Sequence, residues 1–131
     1  MAKNSIQIPL RGRALVVDDD EDVRELLVVL LCLAGFQVEA VADGLAGIEA
    51  ARNTDYDHIF CDIRMPVLSG DNVVKTILAE KPETTIYVVT AEPDGAGARR
   101  ALAMGAKGCL PKPFSVDSFW EFLGLSPDSI P

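Results

Sequence analysis

Ala14-Leu15-Val16-Val17-Asp18-Asp19-Asp20 is a short apolar run that breaks off into three acids. Uncharged residues of this kind suit a strand buried on both faces, and such strands belong to parallel sheets covered by helices. The acids stand where the strand stops and a helix starts, because apolar residues then recur at helical spacing from about Glu21 to Ala34, until Gly35. The same alternation repeats along the chain. Phe36 to Val41 is a second strand, Asp43-Gly44 turns the chain, and Leu45 to Arg52 is a second helix. Ile59 to Cys61 leads a third strand to Asp62, and Gly70 to Ala79 is helical until Pro82. Ile86 to Val89 is the fourth strand and Cys109-Leu110 a short fifth, after which Ser115 opens a last helix that Gly124 closes. Pro93, Gly95 and Gly97 stand where a fourth helix should begin. Its first turn is expected to fray, since glycine costs ~1 kcal/mol per interior helical position relative to alanine. The reading is an α/β fold with one five-stranded parallel sheet and helices on both faces.

At 131 residues the chain supports one core, so residues 13–124 read as one domain between tails at 1–12 and 125–131. With 49% hydrophobic residues it is too apolar for a disordered chain. A net charge of −8 repels phosphate backbones and anionic lipid, which argues against nucleic-acid and membrane partners. The longest uncharged apolar run, Leu26 to Phe36, is far short of the ~20 residues of a membrane span. Met1 to Arg13 has no secretory-signal pattern, so the expected compartment is the cytoplasm. Cys32, Cys61 and Cys109 are odd in number and lack CxxC spacing, which fits reduced, packed thiols better than a disulfide or zinc site.

Open parallel sheets bind ligands beyond the carboxyl ends of their strands. Strand one ends in Asp18-Asp19-Asp20, strand three in Asp62 and strand four in Thr90, while strand five runs into Lys112. Carboxylates gathered so closely need a cation among them, and an all-oxygen set suits Mg²⁺. A hydroxyl and an ammonium opposite that ion would clamp the oxygens of a transferring phosphoryl group, with Asp62 as nucleophile. Singly these residues say little: Asp20 or Asp22 reads as a helix cap, Thr90 as a strand residue and Lys112 as a solvated turn. Their joint placement at one sheet edge carries the inference. His58, the single histidine, starts strand three and reads as structural.

Four motifs in order carry a family resemblance: Ala14 to Asp20; Cys61-Asp62-Ile63-Arg64-Met65-Pro66 with Gly70; Thr90-Ala91; and Gly108-Cys109-Leu110-Pro111-Lys112-Pro113-Phe114. Over residues 13–124 the chain resembles the response-regulator receiver domain of two-component signalling, in the single-domain, chemotaxis-regulator-like form. The resemblance implies a flavodoxin-like sheet in the order 2-1-3-4-5. It implies that Asp62 accepts phosphate from a phosphohistidine on a histidine kinase or histidine phosphotransfer protein. Asp18, Asp19, Asp62 and the backbone carbonyl of Arg64 would hold Mg²⁺, with Thr90, the Ala91 N–H and Lys112 binding phosphoryl oxygens. A cis Lys112-Pro113 bond is implied as well. Such a protein catalyses its own phosphorylation and dephosphorylation without being a conventional turnover enzyme. The switch would pair Thr90 with strand five, where the family's usual aromatic is replaced by Cys109. That replacement points output toward contact with a downstream protein or a second copy, through helix four, strand five and helix five.

Competing classes fit less well. A haloacid-dehalogenase-type phosphohydrolase needs a second Asp two residues after the nucleophile, where this chain has Arg64; Gly95-Ala96-Gly97 lacks the lysine and spacing of a nucleotide phosphate loop. A flavodoxin-like FMN site would meet three acids after strand one. The remaining alternative is a non-switching pseudo-receiver, a docking or dimerisation scaffold, although both nucleophile and lysine are present. Helix one is apolar nearly all round: Val23, Leu26, Leu27, Leu30, Leu31 and Ala34 form the expected core stripe. Val28, Val29, Cys32 and Leu33 lie off it, toward a partner. In helix five Val116, Phe119 and Leu123 are expected in the core, and Trp120 and Phe122 at an interface. Arg64 and Glu92, each two residues beyond a site residue, are expected to gate water from the phosphoryl group.

Overall fold

A computed structural model describes residues 12–126. The elements alternate in the order β1 (Gly12–Val17), α1 (Glu21–Leu33), β2 (Phe36–Val41), α2 (Gly44–Asn53), β3 (His58–Asp62) and α3 (Gly70–Glu80). They continue with β4 (Thr85–Thr90), α4 (Ala96–Ala103), β5 (Gly108–Pro111) and α5 (Val116–Phe122). All five strands are parallel, in the order β2-β1-β3-β4-β5. Each strand and helix expected from the sequence is present; β2 has the expected bounds, and the other strands are a residue or more longer than their apolar runs.

Strand alternation sorts the core into two layers. Leu15, Val17, Ile59, Cys61, Ile86 and Val88 face α2, α3 and α4, where Ile48, Ala51, Val73, Val74, Ile77 and Ala101 meet them. Ala14, Val16, Phe60, Val89 and Leu110 face α1 and α5, against Leu27, Leu30, Leu31, Phe119 and Trp120. On this second face the His58 ring lies edge-on to Phe36 at 5.3 Å and stacks on Tyr87 at 5.8 Å. Burial lowers its pKa, as expected for a histidine packed among rings.

Two helix registers differ from expectation. In α1 the core side is narrower than the apolar pattern: Leu26 is exposed, on one flank with Val29 and Leu33, while Val28 packs partly against the core. In α5 Trp120 is 5% exposed and Val116 is 47% exposed, the reverse of the expected arrangement. The helix is short enough for Phe119, Trp120 and Leu123 to share the core side, with Phe122 half-buried edge-on to Tyr87 at 5.1 Å. Trp120 is thus a core residue and drops out of the expected interface. Of the thiols Cys61 is buried and Cys109 half-buried, but Cys32 is exposed on α1 and not packed.

α4 begins at Ala96 with Gly95 at its cap and no side-chain cap hydrogen bond, as the glycines there suggest. Gly12 belongs to β1, and Leu125 packs on the α1 and α5 layer. The rest of the tails, 1–11 and 127–131, lies outside the described residues. None of the described helices is long and apolar enough to cross a membrane.

Candidate phosphoryl-transfer site

Each site residue is placed by the strand it ends. The Asp18 N–H donates to Val41 O at 3.2 Å, extending the β1–β2 ladder by one residue, and the Asp18 carboxylate is fully buried. Its Oδ1 accepts the Asp20 N–H at 2.9 Å. The Asp20 carboxylate in turn caps α1 by accepting the N–H groups of Asp22 at 3.0 Å and Val23 at 3.3 Å. Asp20 is therefore structural, which leaves Asp18 and Asp19 for chemistry.

Asp62 is the buried last residue of β3. Behind it α3 starts so close that a Cβ on Gly70 would lie 2.0 Å from the Asp62 carbonyl oxygen, so only glycine fits there. The Lys112 N–H donates to Thr90 O at 2.8 Å, which ties the end of β5 to the end of β4, and the Lys112-Pro113 bond is cis. The Lys112 ammonium then reaches Asp18 Oδ2 at 3.2 Å and Asp62 Oδ1 at 3.3 Å. Carboxylate oxygens of Asp18, Asp19 and Asp62 come within 4.8 Å of one another. Asp19 and Asp62 border a cavity of about 270 Å³, lined also by Asp20, Arg64, Thr90, Ala91 and Lys112, and the buried Asp18 lies behind it.

The charges do not balance. Burial, and then the Asp18 carboxylate, push the Asp62 carboxyl up to about 6 against the pull of Lys112. Burial works to lower the Lys112 pKa, but Asp62 and Asp18 outweigh it and hold the ammonium above the ordinary lysine value. Among the described residues Asp18 Oδ2 is buried with no hydrogen-bond partner, left with its ionic contact to Lys112. Three convergent carboxylates, one with a buried unpartnered oxygen, fit a hard divalent cation with oxygen ligands such as Mg²⁺.

Thr90 Oγ1 accepts the Glu92 N–H at 3.0 Å and keeps its own proton free to donate. At the rim Arg64 Nη1 meets Glu92 Oε1 at 2.7 Å, so these two expected gate residues are paired. Cys109 stands apart from the cavity: it lies beside Val88 in the ladder and packs on the α2, α3 and α4 layer.

A family model described as the response regulator receiver domain matches residues 14–123. The chain belongs to the receiver-domain family. A protein-glutamate methylesterase/protein-glutamine glutaminase 2 from Anaeromyxobacter dehalogenans is 42% identical to this receiver over 84% of the chain and 33% of the relative. A homologue of the transcriptional regulatory protein CpxR from Haemophilus influenzae is 36% identical over 79% and 45%. This receiver thus spans between a third and a half of the length of these two relatives. The chemotaxis protein CheY4 of Vibrio cholerae superposes with a TM-score of 0.79 at 31% identity, covering 86% of this receiver and 96% of that chain. The receiver domain of the Pseudomonas aeruginosa sensor histidine kinase PA1611 was solved with a magnesium ion coordinated in the active-site cleft. It superposes with a TM-score of 0.73 at 28% identity over 86% and 94%. Receiver domains bind Mg²⁺ at an acidic pocket and interact with histidine kinases and downstream effectors.

Two charged contacts near this receiver's site were not anticipated. Arg24 of α1 donates through Nη1 to the Asp18 carbonyl at 2.8 Å. Arg100 of α4 donates through Nε to the buried Asp71 of α3 at 2.8 Å. A signal for the first is a cation near a helix N-terminus, where the dipole disfavours it. The second joins residues 29 apart in sequence and has no local signature.

Proposed function

We propose that the receiver unit, residues 13–124, accepts a phosphoryl group on Asp62 from a phosphohistidine of a partner histidine kinase or histidine phosphotransfer protein. The reaction depends on Mg²⁺, and the product alters a protein-contact surface on α4, β5 and α5. The observation that carries this reading is the Lys112 ammonium set within 3.3 Å of both Asp18 and Asp62, beside Thr90 and Ala91 in one cavity.

Asp18, Asp19 and Asp62, with the Arg64 backbone carbonyl, would hold the ion. When bound, it offsets the carboxylate charge and polarises a phosphoryl oxygen. The protein's part is positioning. An Asp62 oxygen attacks phosphorus, the phosphorus–nitrogen bond of the donor breaks, and the imidazole leaves with the electron pair. Lys112 neutralises the charge gathering on the equatorial oxygens, while the Thr90 hydroxyl and the Ala91 N–H donate to them. Asp62 is released afterwards by water. Thr90 turning toward the new phosphate would redirect the Glu92 segment that leads into α4, and Cys109 follows as the small partner on β5.

The phosphodonor docks across α1, with Val29, Cys32 and the partly buried Val28 beneath it, alongside the exposed Leu26 and Leu33. Output runs to a downstream protein or a second copy over the Phe122 side of α5. The setting for this exchange is the cytoplasm. Incubation with phosphoramidate and Mg²⁺, followed by intact mass, tests the chemistry. The parent should gain one phosphoryl group, and Asp62→Asn, or parent in EDTA, should gain none. A parent that gains no mass, or an Asp62→Asn variant that gains the same, overturns the reading.

A further inference from the structure

The helix after the acidic loop opens as its dipole demands, with Glu21 and Asp22 in the first turn. Arg24 runs against that preference. Its N–H closes the first turn on Asp20 O at 2.9 Å, while its guanidinium turns back and donates to the Asp18 carbonyl at 2.8 Å. Asp20 already supplies the helix cap. Among the described residues Arg24 forms no salt bridge, so its charge is directed at a backbone oxygen and not at an acid.

That oxygen belongs to the peptide joining Asp18 to Asp19. A peptide is planar, so fixing its oxygen fixes the plane and the directions in which both residues leave it. The neighbouring bonds act elsewhere: the Asp18 N–H on Val41 O precedes this peptide, and the Asp20 N–H on Asp18 Oδ1 holds a side chain. A charge-assisted hydrogen bond from a partly buried guanidinium is a strong anchor for such a plane.

We infer that Arg24 is a positioning residue for the cation site: through the Asp18 carbonyl it sets the peptide from which the Asp18 and Asp19 carboxylates converge on Asp62. The inference rests on the reading of these acids as Mg²⁺ ligands. Groups that orient metal ligands typically change affinity by 10- to 100-fold when removed.

The test measures Mg²⁺ binding to unphosphorylated protein by isothermal titration calorimetry, with thermal melting in EDTA alongside. Arg24→Met should weaken Mg²⁺ binding about tenfold, and Arg24→Lys should recover part of the loss. Arg99→Met is the matched control, because Arg99 makes the same kind of contact on Asp94 O at 2.7 Å, away from the acids. It should bind Mg²⁺ like the parent. With phosphoramidate, Arg24→Met should need more Mg²⁺ for half-maximal rate and reach the parent rate at saturation. If Arg24→Met unfolds, Arg24→Gln carries the test on the same criterion. A folded Arg24→Met or Arg24→Gln variant binding Mg²⁺ within roughly twofold of the parent overturns the positioning role alone. A parent that binds no Mg²⁺ overturns the functional reading and this inference together.

Discussion

The two ends of the sheet handle charge in opposite ways. At the amino ends of the strands several acids have partners of their own: Asp57 accepts the Arg13 N–H at 2.9 Å, and Glu39 accepts the Tyr56 hydroxyl. Lys81 reaches Asp55 at 2.7 Å while capping α2 through Ala51 O at 2.6 Å. The cleft lined by Asp55, Asp57 and Lys81 is larger than the acidic cavity, about 580 against 270 Å³, yet among the described residues it gathers no cluster of carboxylates: its remaining acid, Glu83, is exposed, and its buried unpartnered atom is the imidazole Nδ1 of His58. At the carboxyl ends three carboxylates converge on one ammonium that reaches two of them, and among the described residues a buried Asp18 oxygen lacks a hydrogen bond. Cavity size therefore misleads here, and unsatisfied charge is the better guide to where a ligand belongs.

The contrast breaks most visibly by removing a cation from each end. Lys112→Met leaves buried acids unpaired and should cost about 3–5 kcal/mol of stability in EDTA, measured by urea unfolding. Mg²⁺ should return part of it. Lys81→Met, whose partner Asp55 is exposed, should cost less, and Mg²⁺ should stabilise it no more than it stabilises the parent. Equal losses, both indifferent to Mg²⁺, would erase the distinction between the two ends.

Removing an acid should have the opposite sign. Asp18→Asn or Asp19→Asn relieves repulsion around Asp62, so either should raise the melting temperature in EDTA by a few degrees and forfeit the stabilisation by Mg²⁺. At the amino end Asp57→Ala removes a satisfied acceptor and should lower it. A lower metal-free melting temperature in both site variants would show that the carboxylates are not mutually destabilising.

The carboxyl edge also holds backbone strain. Val67 has φ of 71°, with the Leu68 N–H on Pro66 O at 2.8 Å, and it is 94% exposed. A left-handed conformation costs an L-residue about 1–2 kcal/mol, and glycine's extra unfolded-state freedom returns about 0.5–1 kcal/mol of that. Val67→Gly should therefore stabilise by up to about 1 kcal/mol in urea unfolding, with phosphorylation by phosphoramidate unchanged. A destabilised variant would mean that the side chain packs and the turn is relaxed.

Much of this was legible before any coordinates. Strand ends were readable because a strand's last residue in a parallel sheet has a known destination, so Asp18, Asp62, Thr90 and Lys112 could be brought to one edge from order alone. Helix faces were less readable where the apolar pattern exceeded the core. Leu26 fits the α1 stripe as well as Leu30 does, and only the width of the groove separates them. In α5 the i, i+3, i+7 spacing pointed to Val116, Phe119 and Leu123, whereas the ring packing around Phe119 buries Trp120 and leaves Val116 exposed. Arg100 with Asp71 stayed hidden because the pair depends on how α3 and α4 lie together, which periodicity does not encode.

One pair at the carboxyl edge behaves like those at the other end. Arg64 and Glu92 satisfy each other at 2.7 Å across the rim, although both are well exposed. An exposed pair contributes only ~0–1 kcal/mol, too little to hold the fold. On a barrier the same energy is a several-fold change in rate, since ~1.4 kcal/mol is tenfold. If the paired side chains screen phosphorus from water, Arg64→Ala and Glu92→Ala should each speed loss of the acyl phosphate several-fold, followed by intact mass after donor removal. The double variant should then decay barely faster than either single one, because removing one partner already opens the screen. Additive acceleration would mean that each residue acts by itself, and slower decay in both singles would mean that they assist the attacking water. In either case the rim pair would be local charge satisfaction like that at the amino ends.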